Sequence, residues 1–420
     1  MSKRFGVAFF LAAWLSARGQ SFPPSVPIDV GGVKLGVGGF IQADATLLDQ
    51  SAEDELDPAS RQPLNTERVF VRRGHVRMDA QKSWVGAALE IDVNTVHGSQ
   101  LQVVAAEVMA DLGSADPHRL PTLLLSLGIT RIPFGYEVLQ HDLLRPFLEP
   151  SNAVRALFPG SYAPGLRARG AFRFLRYDLA ALSGEPIGAA NFAAQAPSHS
   201  LDFVGRVGVN TTIVPNVTFE AGVSGLSGRG FSPGTQGTKD QLVWRDENGD
   251  GLVQVSEIGI IPGTTAEPSS TFRRFAYGAD AHLSWQFPFA LAVAGGELVW
   301  SKNLDRALFV SDPVATGRDQ RGTGFSLSFV LQELPAHLSA GLRYDRYNPD
   351  ADVADANGGA RVPFDASVST LALMASVRIE AVMRVLVEYD INHNAFGRGP
   401  NGAPTSLLAN ALTARAELAF

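Results

Sequence analysis

Twelve residues, Asp246–Glu257 (DENGDGLVQVSE), carry the densest run of oxygen ligands in the chain. Against the calcium-loop pattern they place Asp246 at position 1, Asn248 at 3, Asp250 at 5 and Gly251 at 6. Leu252 supplies a backbone carbonyl, Gln254 stands at position 9 and Glu257 at position 12. The spacing suits a hard cation: short oxygen side chains wrap one side, glycine permits a sharp turn, and a bidentate Glu closes the other side. Calcium is therefore the ligand expected in 246–257. The alternative is an Asp/Asn/Gly-rich loop that only turns the chain. Its flanks do not read as helices, so this is a lone loop and not a paired EF-hand.

A second set of chemistry-bearing residues is arginine-rich. By two-residue alternation, Arg73, His75 and Arg77 share one face of a segment, as do Arg167, Arg169 and Arg173. Arg131, Arg145 and Arg155 fall in or beside the stretch between these segments, and Glu90, Asp92, Glu107 and Asp111 share faces of two further segments. One reading is a basic wall that draws anions through a water-filled pore, with the acids on other walls setting up a field across it. The other is that the arginines pair with carboxylates and stiffen the wall. Enzymatic chemistry is poorly supplied. The chain has no cysteine, no G-x-S-x-G, no H-E-x-x-H and no glycine-rich phosphate loop, and its histidines are scattered. A non-enzymatic protein is expected.

Such residues need elements to position them, and composition narrows these. Of 420 residues, 42 are Gly and 25 Pro, 45% are hydrophobic and only 18% charged, which argues against a mostly helical protein. No run of about twenty apolar residues exists to span a bilayer as a helix. A net charge of −7 disfavours nucleic acid as a partner. Lys3 and Arg4, the apolar stretch Phe5–Leu15 and the small residues before Gln20 read as a secretory signal peptide over 1–19. After a short periplasmic segment, 20–32, sixteen alternating segments fill 33–420. In one, Val85, Ala87, Leu89, Ile91 and Val93 oppose Glu90 and Asp92. Long and short connections alternate almost throughout, with 94–100 and 113–121 the exception. A short inner turn is expected at Leu175–Arg176. The expected fold is all-β, a transmembrane antiparallel barrel of about sixteen strands in the outer membrane, its apolar face toward lipid.

Resemblance to a family rests on particular residues. Leu125–Glu137 (LSLGITRIPFGYE) resembles the G-x-x-x-x-P-F-G-x-E stretch of the phosphate-selective porin O and P family. Phe70–Met78, Leu89–Val93, Ala163–Gly170, Asp202–Val209, Glu220–Gly228 and Leu342–Pro349 are similar to that family's segments in matching order. The final segment, ending in Phe420, looks like the recognition segment of bacterial outer-membrane barrels. The resemblance implies a sixteen-stranded barrel, usually a homotrimer, whose third long loop (132–165) folds inward as a constriction. The chain departs from the family in its few lysines (Lys34, Lys82, Lys239 and Lys302 after the signal) and in its many acids on the lumen side. The expected function is a porin for passive diffusion of small solutes or ions, at most weakly anion- or phosphate-preferring. The alternative is a surface anchor or adhesin with a calcium-stabilised external loop, 228–274.

Overall fold

The structure, a computed structural model, describes residues 28–50, 67–96, 98–113, 121–189, 198–352, 354–357, 360–363, 365–380, 382–394, 397–398, 404–406 and 409–420. The segment read as a signal peptide lies outside the described residues. Sixteen long strands form the body. They are β1 (Val33–Gln50), β2 (Arg68–Lys82), β3 (Val85–Asn94), β4 (Gln100–Asp111), β5 (Leu124–Arg131), β6 (Tyr162–Phe172), β7 (Leu175–Leu182) and β8 (Asp202–Val214). Then come β9 (Val217–Ser232), β10 (Ser270–Gln286), β11 (Leu291–Lys302), β12 (Arg321–Leu334), β13 (Leu338–Asn348), β14 (Val368–Ile379), β15 (Met383–Asn394) and β16 (Ala409–Ala419). A three-residue strand, Ile28–Val30, folds back on the start of β1.

Each strand pairs antiparallel with its neighbours in sequence, and β16 pairs with both β15 and β1, so the sheet closes. Closure matters because hydrocarbon offers no partner to an unpaired strand edge. At the seam Asp44 stands opposite Arg415, and Phe420 exchanges backbone hydrogen bonds with Gly39 at 2.9 and 3.0 Å. A Cβ at residue 39 would meet the His75 carbonyl at 2.3 Å and the Phe420 ring at 2.8 Å, so glycine lets the C-terminal aromatic seat.

Short turns gather at one end of the barrel. Ser83 (φ 55°) and Arg173 (φ 54°) take left-handed conformations at the first position of two-residue turns, which match the right-handed twist of the flanking strands, while Asn216 (φ 74°) follows Pro215 in a turn accompanied by a register shift. One turn differs from expectation. Phe172 pairs with Leu175, so the chain reverses at Arg173–Phe174 and not at Leu175–Arg176. The long β9–β10 ladder also runs further than the alternation suggests, to Ser232 opposite Ser270. Glycines 225, 228 and 230 interrupt its apolar rhythm while the backbone pairing continues.

Outward-facing positions are apolar and exposed, as at Leu127, Phe203, Val223, Leu298 and Leu327. The inward positions bury Arg77, Glu90, Arg206, Asp280, Asp345, Glu388 and Arg415. The interior is not uniformly polar. Leu182, Val204, Leu226, Ala276 and Val299 point inward and form one apolar cluster with Ile132, Phe134, Leu157 and Phe158. This dry core inside the barrel holds the connection between β5 and β6.

Candidate functional site: the barrel lumen

That connection, residues 132–161, crosses the lumen and carries the helix α1 (Asn152–Leu157). Irregular backbone at this depth must have every polar group satisfied. Wall carboxylates accept its N–H groups: Glu297 bonds Tyr136 N and Glu137 N at 3.0 Å, Glu388 bonds Leu148 N at 3.0 Å, and Asp345 bonds Asn152 N at 3.0 Å. Wall arginines donate to its carbonyls. Arg384 reaches Arg145 O at 2.8 Å, Arg415 reaches Leu148 O at 2.8 Å and Arg343 reaches Glu149 O at 2.7 Å. The Pro133-Phe134-Gly135 turn fits tightly. Phe134 stacks on Phe158 at 4.6 Å, and a Cβ on Gly135 (φ 60°) would fall 1.9 Å from the Glu297 carboxylate.

Below this segment, on the short-turn side, lies a cavity of about 840 Å³. The segment forms its roof through Tyr136, Gln140, His141, Arg145 and Phe147, and the strands form its wall. Arginines outnumber carboxylates on the lining. Of the residues singled out in the sequence, Arg77, Arg131, Arg145, Arg167, Arg169 and Glu107 line it.

The arginines and acids are mostly direct partners and do not face each other across the pore. Arg77 stands opposite Glu90 on the adjacent strand and His75 opposite Asp92. Arg77 bonds Glu90 and Asp79 at 3.1 Å and approaches Glu107 at 4.0 Å, while His75 Nδ1 lies 2.6 Å from Glu90. Asp92 accepts from Gly74 N at 2.9 Å and Asn94 at 2.8 Å. Arg167 grips Asp178 through a two-pronged contact, and Arg145 bonds Asp142 at 2.6 Å. Arg131 instead donates to the Gln140 carbonyl at 2.6 Å and sits over the Tyr162 ring at 4.6 Å. Arg169 makes no ion pair among the described residues and faces the cavity. The expected transverse field is thus replaced largely by pairs between neighbouring strands.

One expected lining residue lies elsewhere. Arg173 occupies the tight turn after β6, exposed, where the reversal two residues early removes it from the lumen face. Arg176 takes the inward position instead and lines the cavity. Arg155 is exposed on α1 of the segment that crosses the lumen, and Arg73, His75, Glu90, Asp92 and Asp111 lie outside the lining of this cavity.

The reading from alternation missed Arg72. A bulge opposite Gln42 and Ala43 adds one residue to β2. Arg72 and Arg73 then both reach the inward segment, and each forks onto the Glu149 carboxylate. Burial alone would raise that carboxyl, but Arg72, Arg73 and Arg415 outweigh it and hold it well below the usual carboxylate range. Burial holds the nearby His141 neutral, down to about 4. Arg206 with Asp280, and Arg415 with Asp44, were legible from strand alternation but were not singled out.

The 246–257 loop lies apart from the lumen, at the end of the long β9–β10 arm. Two short paired strands, Gln241–Trp244 and Ile258–Ile261, bring its ends together. Asp246 accepts from Gly249 N at 2.7 Å and Gly251 N at 2.9 Å, and Asn248 accepts from Asp250 N at 2.9 Å. Asp250 accepts from Leu252 N at 2.7 Å and from the Gln254 amide at 2.6 Å. Glu257 is folded onto Glu247 N at 3.2 Å and the Trp244 indole at 3.2 Å. Among the described residues, no group of three or more His, Asp or Glu stands close enough to hold a metal ion. A cation here has to draw Glu257 from these donors.

No family model matches the chain, and no curated protein matches it. Solved structures do. The outer-membrane channel DcaP of Acinetobacter baumannii is 10% identical, with 96% of this chain and 99% of that chain covered and a TM-score of 0.57. Outer-membrane expressed OmpT of Vibrio cholerae is 9% identical, with 94% and 100% covered and a TM-score of 0.53. An anion-selective porin from Comamonas acidovorans is 10% identical, with 92% and 100% covered and a TM-score of 0.51. At these identities the likeness is one of fold: the chain has the fold of outer-membrane porins.

Proposed function

We propose that the chain is a porin of the bacterial outer membrane, passing small solutes or ions by passive diffusion with a weak preference for anions. The single observation that carries this is the cavity of about 840 Å³ inside a closed, outwardly apolar barrel, lined by more arginines than carboxylates and roofed by segment 132–161. The preference is weak because most lining arginines are already neutralised. Arg77, Arg145, Arg167, Arg206, Arg343 and Arg384 each hold a carboxylate, leaving Arg131, Arg169, Arg176 and Arg378 to bias the field.

Two finer readings belong to the same proposal. The likeness of Leu125–Glu137 to the phosphate-selective porins supports a phosphate-type channel, while the paired arginines argue for a less specific one. Assembly as a homotrimer fits the porin fold. Liposome swelling tests the function: vesicles carrying the protein are expected to swell in small sugars and amino acids at rates that fall with solute size. Vesicles that swell no faster than protein-free ones would overturn it.

A further inference from the structure

The geometry points to a carboxylate-binding cradle in the lumen, formed by Arg72, Arg73 and Arg415, in which the chain's own Glu149 sits as a displaceable stand-in for a solute carboxylate. This inference rests on the porin reading and names the solute class that the site selects. Arg72 holds the Glu149 carboxylate at 2.7 and 2.8 Å, Arg73 at 3.0 and 2.8 Å, and Arg415 adds a contact at 3.0 Å. Two guanidinium forks on one planar carboxylate are the pattern by which arginine recognises a carboxylic acid.

The occupant is tethered, not sealed in. The side chain of Arg72 keeps 27% of its surface accessible and that of Glu149 24%. Glu149 comes from the inward segment, while the arginines come from β2 and β16. Exchange therefore needs only a side-chain swing. Without Glu149, Arg415 keeps Asp44 at 2.7 Å, and Arg73 keeps the Gln42 amide oxygen at 3.3 Å and, as its nearest carboxylate, Asp142 at 3.8 Å. Arg72 keeps no carboxylate among the described residues, so the vacated cradle is short of one negative charge. An entering solute carboxylate restores it. An internal competitor scales the apparent affinity by the fraction of time it leaves the site free, which suits a channel that must also let solute leave.

Titration calorimetry of sodium acetate into the detergent-solubilised barrel tests this independently of conduction. Glu149→Gln is expected to bind acetate about tenfold more tightly than the wild type. Adding Arg72→Gln and Arg73→Gln is expected to abolish the gain. Glu149→Asp, which keeps the charge on a shorter arm, is expected to fall between, and it reads the same effect if the Gln variant does not assemble. Equal acetate affinity in wild type and variants would overturn the cradle, and tighter binding of inorganic phosphate than of acetate would overturn its assignment to carboxylates. Absence of current from the wild type in a planar bilayer would instead count against the porin reading.

Discussion

Glu90 is 2% exposed and accepts from both His75 and Arg77, so its charge is bound to two partners on the neighbouring strand. Removing one member of such a buried set leaves an uncompensated charge, at a cost of about 3 kcal/mol. Glu90→Ala is accordingly expected to lower the stability of the folded barrel by about that amount, read by guanidinium unfolding in detergent. An unchanged midpoint would show that water inside the pore solvates Arg77 well enough to replace the pair. The Glu149 clasp makes a pH prediction. A carboxylate held below its ordinary value contributes stability above that value and loses it only as pH falls through the lowered one. Glu149 therefore keeps its charge from about pH 8 down to about pH 5, and His141 is already neutral across that window. Deuterium exchange of residues 145–151 is expected to be flat in it once corrected for intrinsic rates, and a step near neutrality would contradict the clasp. Strict alternation made Arg73, His75, Arg77, Glu90 and Asp92 legible as inward-facing. It could not reveal Arg72, because a bulge shifts the phase without leaving a glycine or proline to mark it.

The inward segment is held by apolar packing as much as by charge. Leu157 and Phe134 are each 1% exposed within the core that lies inside the barrel. Leu157→Ala is expected to cost about 3 kcal/mol of local stability. It should raise deuterium exchange across 132–161 while the strands stay protected, since strand pairing does not depend on the segment. Exchange confined to its former level would mean the hydrogen bonds to Glu297, Glu388 and Asp345 suffice alone. At the tip of the β9–β10 arm, calcium in loop 246–257 remains a proposal with its own outcome. At about millimolar calcium the loop is expected to resist proteolysis, and Glu257→Gln is expected to remove that protection. Protection that is absent, or insensitive to Glu257, would leave Asp246 and Asp250 as turn-forming residues only. Element count and the alternation of long and short connections were readable because lipid demands a strict apolar face on every strand. The early reversal at Arg173–Phe174 was not, because Phe172, Phe174 and Leu175 offer apolar residues in both phases.

At the scale of the whole molecule, two faces of one sheet meet two solvents. Leu327 is exposed on the outer wall and Ser326, its neighbour, lines the cavity. Leu327→Arg is expected to cost about 2–4 kcal/mol if it faces the middle of the bilayer, whereas Ser326→Arg should alter ion preference and leave the barrel folded. Gel mobility with and without boiling separates the two effects. The sheet, its closure and its location in a membrane follow from alternation carried through sixteen segments. The field inside does not, because it depends on which arginine meets which carboxylate, and that is set by register and by a segment that returns through the lumen. Neighbouring-strand pairs such as Arg77–Glu90 and Arg167–Asp178 leave a narrow surplus of positive charge on the lining. The most direct test of that surplus is the reversal potential of the purified protein in a planar bilayer under a potassium chloride gradient. The account predicts stepwise conductance with a reversal potential displaced modestly toward the chloride equilibrium value. No conductance, a cation-selective potential, or near-ideal anion selectivity with phosphate blocking chloride current would contradict it.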